Sequence, residues 1–181
     1  MKHAPDSTAS IAPSSPSVLR VAPGIYQYSA WQNVNIGVWV GQATYEATAG
    51  LLEVGAEMRR RYPAGHSSIV FVLDKLPAPT PEARELFAQF LRAGSSLMCN
   101  AIVLEGEGFW ASGLRAMIGN THRGASGSVQ LGVGTTIDEI LAWFPEAHAR
   151  CTGIAVKAAE LRAVLQEHRR INELGATATQ R

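Results

Sequence analysis

Ile69-Val70-Phe71-Val72-Leu73 is an unbroken apolar run between Ser68 and Asp74. A strand with one wet face alternates apolar and polar residues. A strand without that alternation is buried on both faces, as in a parallel sheet covered by helices. The run therefore predicts a strand over 68–73 and requires helices on both sides of it. Ala101–Leu104 is a second segment of this kind and Val129–Val133 a shorter third. All three are expected side by side in one sheet.

The segments between them carry helical patterns. Ala47, Leu51, Val54, Met58 and Tyr62 recur at steps of four and three, which predicts a helix from about Thr44 to Tyr62, stopped by Pro63 and Gly65. Thr80-Pro81-Glu82 is a helix start: an N-cap threonine, proline at the first helical position and an acid in the first turn. Its helix runs to about Ala93. Trp110, Leu114, Met117 and Ile118 share a helical face. Thr136 and Glu139 predict a capping box for a helix with Ile137, Ile140, Leu141 and Phe144, ended by Pro145. A last amphipathic helix spans Ile154 to about Leu174, with Leu161, Val164, Leu165, His168 and Ile171 on one side.

Before the first helix, Gly24–Ala30 and Val34–Val40 read as a β-hairpin joined by Trp31, Gln32 and Asn33. In its second strand Val34, Ile36, Val38 and Val40 alternate with Asn35, Gly37 and Trp39. The order is thus β-β-α-β-α-β-α-β-α and one extra C-terminal helix. Right-handed crossovers turn this into an α/β fold: a mixed, mainly parallel sheet with an N-terminal β-hairpin and helices packed on it. Residues 1–17, rich in Ala, Pro and Ser, read as a disordered tail. The domain occupies 18–145, and 146–181 hold the C-terminal helix and a tail.

Composition narrows the function. Net charge is +1, and the basic run Arg59-Arg60-Arg61 reads as a helix end, as does His168-Arg169-Arg170. A nucleic-acid partner, which needs a basic stripe, is not expected. No stretch approaches the ~20 apolar residues of a membrane span. Lys2 is followed by no apolar signal region, and Cys99 and Cys151 stand in no metal spacing. Reduced thiols and a cytoplasmic location are the expectation.

Three features resemble one family. They are the element order over about Gly24–Phe144, the segment Ile69–Asp74 leading through a loop to Thr80-Pro81-Glu82-Ala83-Arg84, and the closing Thr136–Phe144. The chain resembles the STAS domains, the anti-anti-sigma antagonists, in their SpoIIAA-like branch near the lipid-binding Sec14 class. The resemblance implies a bacterial, STAS-like regulatory module that docks a protein partner and catalyses nothing. It departs from the family where the first of these strands meets its helix. Asp74 is present, but the usual Asp-Ser-Ser/Thr-Gly phosphorylation motif is not, and Thr80 stands at the matching helix start.

In open α/β sheets, ligands and partners gather at the carboxyl ends of the strands. That places the expected partner-binding surface on Asp74, Lys75, Thr80, Glu82, Arg84, Glu105 and Glu107. Thr80 is a phosphorylation candidate, though its N-cap role is explanation enough. Asp74, Glu105 and Glu107 are also a possible carboxylate group, read here as solvated acids. Gly106-Glu107-Gly108 and Gly132-Val133-Gly134 complete no phosphate-loop motif and read as turns. His148 and Cys151 stand three apart but make no metal site alone. His66 and His122 fall in or near expected loops. No metal and no cofactor is expected. Self-association through the C-terminal helix or an exposed sheet edge is a further expectation. The alternative function is a carrier of a small apolar ligand or lipid, which requires an apolar cavity among Phe87, Phe90, Trp110 and Met117.

Overall fold

The computed structural model describes residues 15–74, 76–92, 97–106, 112–113, 115–116 and 129–179. Six strands form one sheet whose spatial order equals the chain order: β1 (Ser17–Ala22), β2 (Tyr26–Trp31), β3 (Val34–Trp39), β4 (His66–Val72), β5 (Leu97–Leu104) and β6 (Gln130–Gly134). The β1–β2 and β2–β3 pairs are antiparallel; β3–β4, β4–β5 and β5–β6 are parallel. The sheet is mixed and mainly parallel, and the three apolar runs lie side by side in it.

Five helices are described: α1 (Tyr45–Arg61), α2 (Pro81–Arg92), α3 (Ile137–Leu141), α4 (Phe144–Thr152) and α5 (Ala158–Thr179). The β3-α1-β4 and β4-α2-β5 crossovers advance in one direction along the sheet. Being right-handed, they put α1 and α2 on the same face, where the two helices pack together. The helices after β6 cover the opposite face.

That opposite face is the larger core. Val34, Ile36 and Val38 of β3, Ile69 and Phe71 of β4, and Cys99, Ala101 and Val103 of β5 meet Ile140, Leu141, Phe144, Ala147, Leu161 and Leu165. Every second residue of each strand points there, as the period of two requires. The other face carries Tyr26, Tyr28 and Trp39 against Ala47 and Val54 of α1.

Several expectations change at element ends. β1 was not anticipated, so the hairpin is a three-stranded meander. Its edge strand buries neither Val18 nor Val21 and is irregular between Val18 and Arg20, which removes the alternation that marks a strand. β4 starts at His66, so this histidine is a buried strand residue rather than a loop residue. Pro145 does not end a helix; it stands in the first turn of α4, where its missing N–H is no loss. Gly132-Val133-Gly134 lies inside β6, not in a turn. A Cβ at Gly132 would fall 2.1 Å from the Trp143 ring.

His168, Arg169 and Arg170 lie within α5, not at its end. Of the helix expected around Trp110, Leu114, Met117 and Ile118, those four residues lie outside the described set, while Ser112, Gly113, Arg115 and Ala116 are helical. Among the described residues, no helix is long and apolar enough to cross a membrane.

Candidate functional site

The two faces of β4 differ. Ile69 and Phe71, which look toward α3–α5, are fully buried. Val70 and Val72, on the same central strand but facing α1 and α2, are only half-buried. The helix pair stands off the sheet here and leaves a cavity of about 150 Å³. Its floor is Val70, Val72 and Ile102; its roof is Leu51 of α1 with Ala83 and Phe87 of α2.

The loop before α2 holds the roof in place. Gln42 Nε2 donates to the Ala78 carbonyl at 2.9 Å, and the Thr80 N–H donates to the Ala43 carbonyl at 3.0 Å. Both bonds tie the proline-stiffened segment Leu76–Pro79 to the β3–α1 connection. Arg84, one turn into α2, is exposed and also lines the cavity, so it sits at the rim.

One wall is aromatic. Tyr28 lies across Gly37 of the neighbouring strand; a Cβ at Gly37 would be 2.2 Å from its ring. Only glycine permits that approach. The ring's position lets the Tyr28 hydroxyl accept from Trp39 Nε1 at 2.8 Å. Burial pushes the Tyr28 phenol well above its ordinary range, so it stays protonated. The Tyr26 ring meets Tyr28 edge-on at 5.3 Å, completing a rigid wall.

Toward the start of β4, polar residues join the lining. A second lobe of about 60 Å³ shares Tyr28, Leu51, Val70, Phe87 and Asn100 with the first. Asn35, Ser68 and Asn100 line it from β3, β4 and β5. They are register partners: Asn35 opposite Ser68, and Ser68 opposite Asn100. Three polar side chains thus form a row across the middle of a covered sheet. Asn35 is 8% and Asn100 6% exposed, and each has an amide oxygen with no hydrogen-bond partner. His66 lines the same lobe; burial, helped by the Arg59 charge, pulls its pKa down to about 4.

The expected partner-binding residues have mixed roles. Thr80 Oγ1 accepts the Ala83 N–H at 3.2 Å, so its hydroxyl is engaged as the α2 cap. Glu105 is in a two-pronged ion pair with Arg169 of α5, at 2.5 and 3.0 Å, and joins the sheet end to that helix. It is not a solvated acid. Asp74 packs against Gly106, whose φ of 91° and lack of a Cβ permit the approach. Asp74, Glu82 and Arg84 are exposed. Lys75 and Glu107 lie outside the described residues, as do His122, Trp110 and Met117 and the side chain of Phe90. Of the four residues expected to line a cavity, Phe87 does so.

A second polar group was missed by sequence reasoning. His148 Nδ1 lies 2.7 Å from Ser67 Oγ, and its Nε2 lies 3.0 Å from Asn33 Oδ1. The spacing is that of a nucleophile, a base and an orienting group. All three residues are buried where α4, which carries His148, meets the sheet, and none lines a cavity described above. The group therefore pins α4 to the β2–β3 turn and the start of β4. With both ring nitrogens engaged, His148 does not pair with Cys151 on a metal. Among the described residues, no group of three or more His, Cys, Asp or Glu is placed to hold an ion. The amphipathic face of α5 is buried on the chain's own sheet through Leu161, Val164, Leu165 and His168.

Comparison with family models, with curated proteins and with solved structures gives no significant match to the chain.

Proposed function

We propose that this domain binds a small, mainly apolar molecule between the α1–α2 pair and the sheet. One observation carries the reading: a central strand fully packed on one face borders an apolar cavity of about 150 Å³ on the other. Protein interiors normally fill such space, because lining atoms without neighbours lose dispersion energy. A dry apolar cavity of roughly this volume takes up a benzene-sized molecule. Pockets for drug-sized ligands run to roughly 300–1,000 Å³. The cavity suits a single ring or a short branched chain, with any larger part of the ligand emerging past Arg84. A two-chain lipid does not fit inside.

The test is native mass spectrometry of the purified protein, together with displacement of a fluorescent apolar probe by small aromatics. Val70→Phe fills the cavity from its floor. Saturable probe binding by the wild type, lost in Val70→Phe while the fold is retained, supports the reading. A wild type that takes up neither probe nor aromatic would sink it. Docking of a regulatory protein at the strand ends has the exposed Asp74, Glu82 and Arg84 to draw on. In the same region Thr80 caps α2 and Glu105 pairs with Arg169.

A further inference from the structure

The buried asparagine row gives the proposed ligand a chemical identity, and this inference rests on the cavity being a binding site. We propose that the cavity takes a hydroxyl-bearing ring compound, a phenol or aryl alcohol, whose hydroxyl is held by Asn100.

A covered sheet has its middle strands lined by apolar residues, and a polar side chain there is normally hydrogen-bonded. The alternation that makes Ile36, Ile69 and Ala101 core residues puts Asn35, Ser68 and Asn100 on the cavity side, one beside another. The row departs from the pattern where the α1–α2 pair stands away from the sheet. Asn35 and Asn100 are each more than nine-tenths buried, and each has an amide oxygen without a partner. A buried amide left unsatisfied is costly, and a ligand group that completes it gains what the empty protein lacks.

Within the row, position singles out Asn100. It lines both lobes, as Tyr28 and Thr48 do, whereas Asn35 and Ser68 line only the second, and its unpartnered oxygen sets it apart from those two. A ring lying on Val70 and Ile102 in the larger lobe brings a substituent directed inward to Asn100. The second lobe, at about 60 Å³, is too small for a second ring but has room for a hydroxyl group. A hydroxyl both donates and accepts, so it completes an amide whichever way that amide is turned. A carboxylate does not suit this end: it would be desolvated with no cation among the residues of the row.

Phenol and toluene are nearly the same shape and differ by hydroxyl against methyl. Anisole keeps the ring oxygen but cannot donate. Titration of the full chain with each, followed by ligand-observed NMR, is expected to give phenol at least about tenfold tighter than toluene, with anisole weaker than phenol. Asn100→Leu removes the amide at nearly constant shape and is expected to abolish the preference while still binding toluene. Replacement of an unpartnered polar group by an apolar one of similar shape is near neutral for folding, so its melting temperature should not fall. Equal binding of phenol and toluene by the wild type would overturn the hydroxyl inference and leave the cavity reading standing. So would a preference for phenol that survives in Asn100→Leu. If no probe binds the wild type, the cavity reading itself fails. The wild-type comparison decides the matter even if the variant does not fold.

Discussion

At the scale of single residues, the chain buries three histidines in its interior. His66, His148 and His168 are each at most 3% exposed, and burial lowers each pKa from 6.5 to about 4. For His168 a hydrogen bond to the Gln27 backbone opposes that trend. The unfolded chain takes up these protons near pH 6.5, whereas the folded chain resists them until about pH 4. Their contribution is therefore complete above pH 6.5 and is lost as pH falls toward 4. Each histidine is worth on the order of 3 kcal/mol at most. Urea unfolding between pH 7.5 and 5 should show stability dropping steeply with acid, and His148→Gln should flatten that slope. A stability unchanged from pH 7.5 to 5 would contradict the neutral interior histidines. None of this was legible in the sequence. His148 is 81 residues from Ser67 and 115 from Asn33, and no local pattern announces such a contact. Asn35 was expected as the polar step of an alternating strand and Asn100 fell just before the expected strand at Ala101; only the register shows that the two flank Ser68 in one row.

At the scale of elements, local signals and long-range contacts part company. The start of α2 is local chemistry and was fully readable: Thr80 caps it and Pro81 opens it. Thr80→Ala should cost about 1 kcal/mol, measured by denaturant midpoint, because a capped N–H loses its partner. Thr80→Asp keeps an acceptor there and should cost less. The start of α3 is nearly as readable. Thr136 Oγ1 accepts the Glu139 N–H at 3.2 Å as expected, but the Glu139 carboxylate returns to the Thr135 N–H, one residue earlier than the expected box. α5 shows the limit. Its amphipathic face was evident, while what it packs on was not, because the tie between Arg169 and Glu105 joins helix to sheet across 64 residues. Both side chains are partly exposed, at 34% and 21%. Arg169→Ala should thus destabilise by only about 1 kcal/mol, and Arg169→Lys should recover little of it, since a lysine cannot make the two-pronged contact. Faster amide exchange in α5, with α1 unaffected, would locate the effect.

At the scale of the molecule, the sheet is close-packed on one face and borders a cavity on the other, and matched substitutions separate them. Val38 and Val70 stand on adjacent parallel strands. Val38 is fully buried against the α3–α5 layer, and Val70 borders the cavity. Truncating Val38 to alanine opens a hole in close packing and should cost about 2 kcal/mol or more. Truncating Val70 only enlarges an existing space and should cost about half as much. In the other direction, Val70→Phe adds contacts where Val38→Phe has no room. The first should stabilise by about 1 kcal/mol, raising the melting temperature by roughly 2–4 °C; the second should unfold or strain the domain. The ligand gives an independent check. A molecule that binds only the folded form stabilises it by mass action, about 2.7 kcal/mol at a hundred times its dissociation constant. The order of wild type and Val70→Phe should therefore reverse: the variant is the more stable when both are empty, and saturating phenol raises the wild type alone, past the variant. If phenol raises both melting temperatures equally, it binds somewhere other than the space between the α1–α2 pair and the sheet.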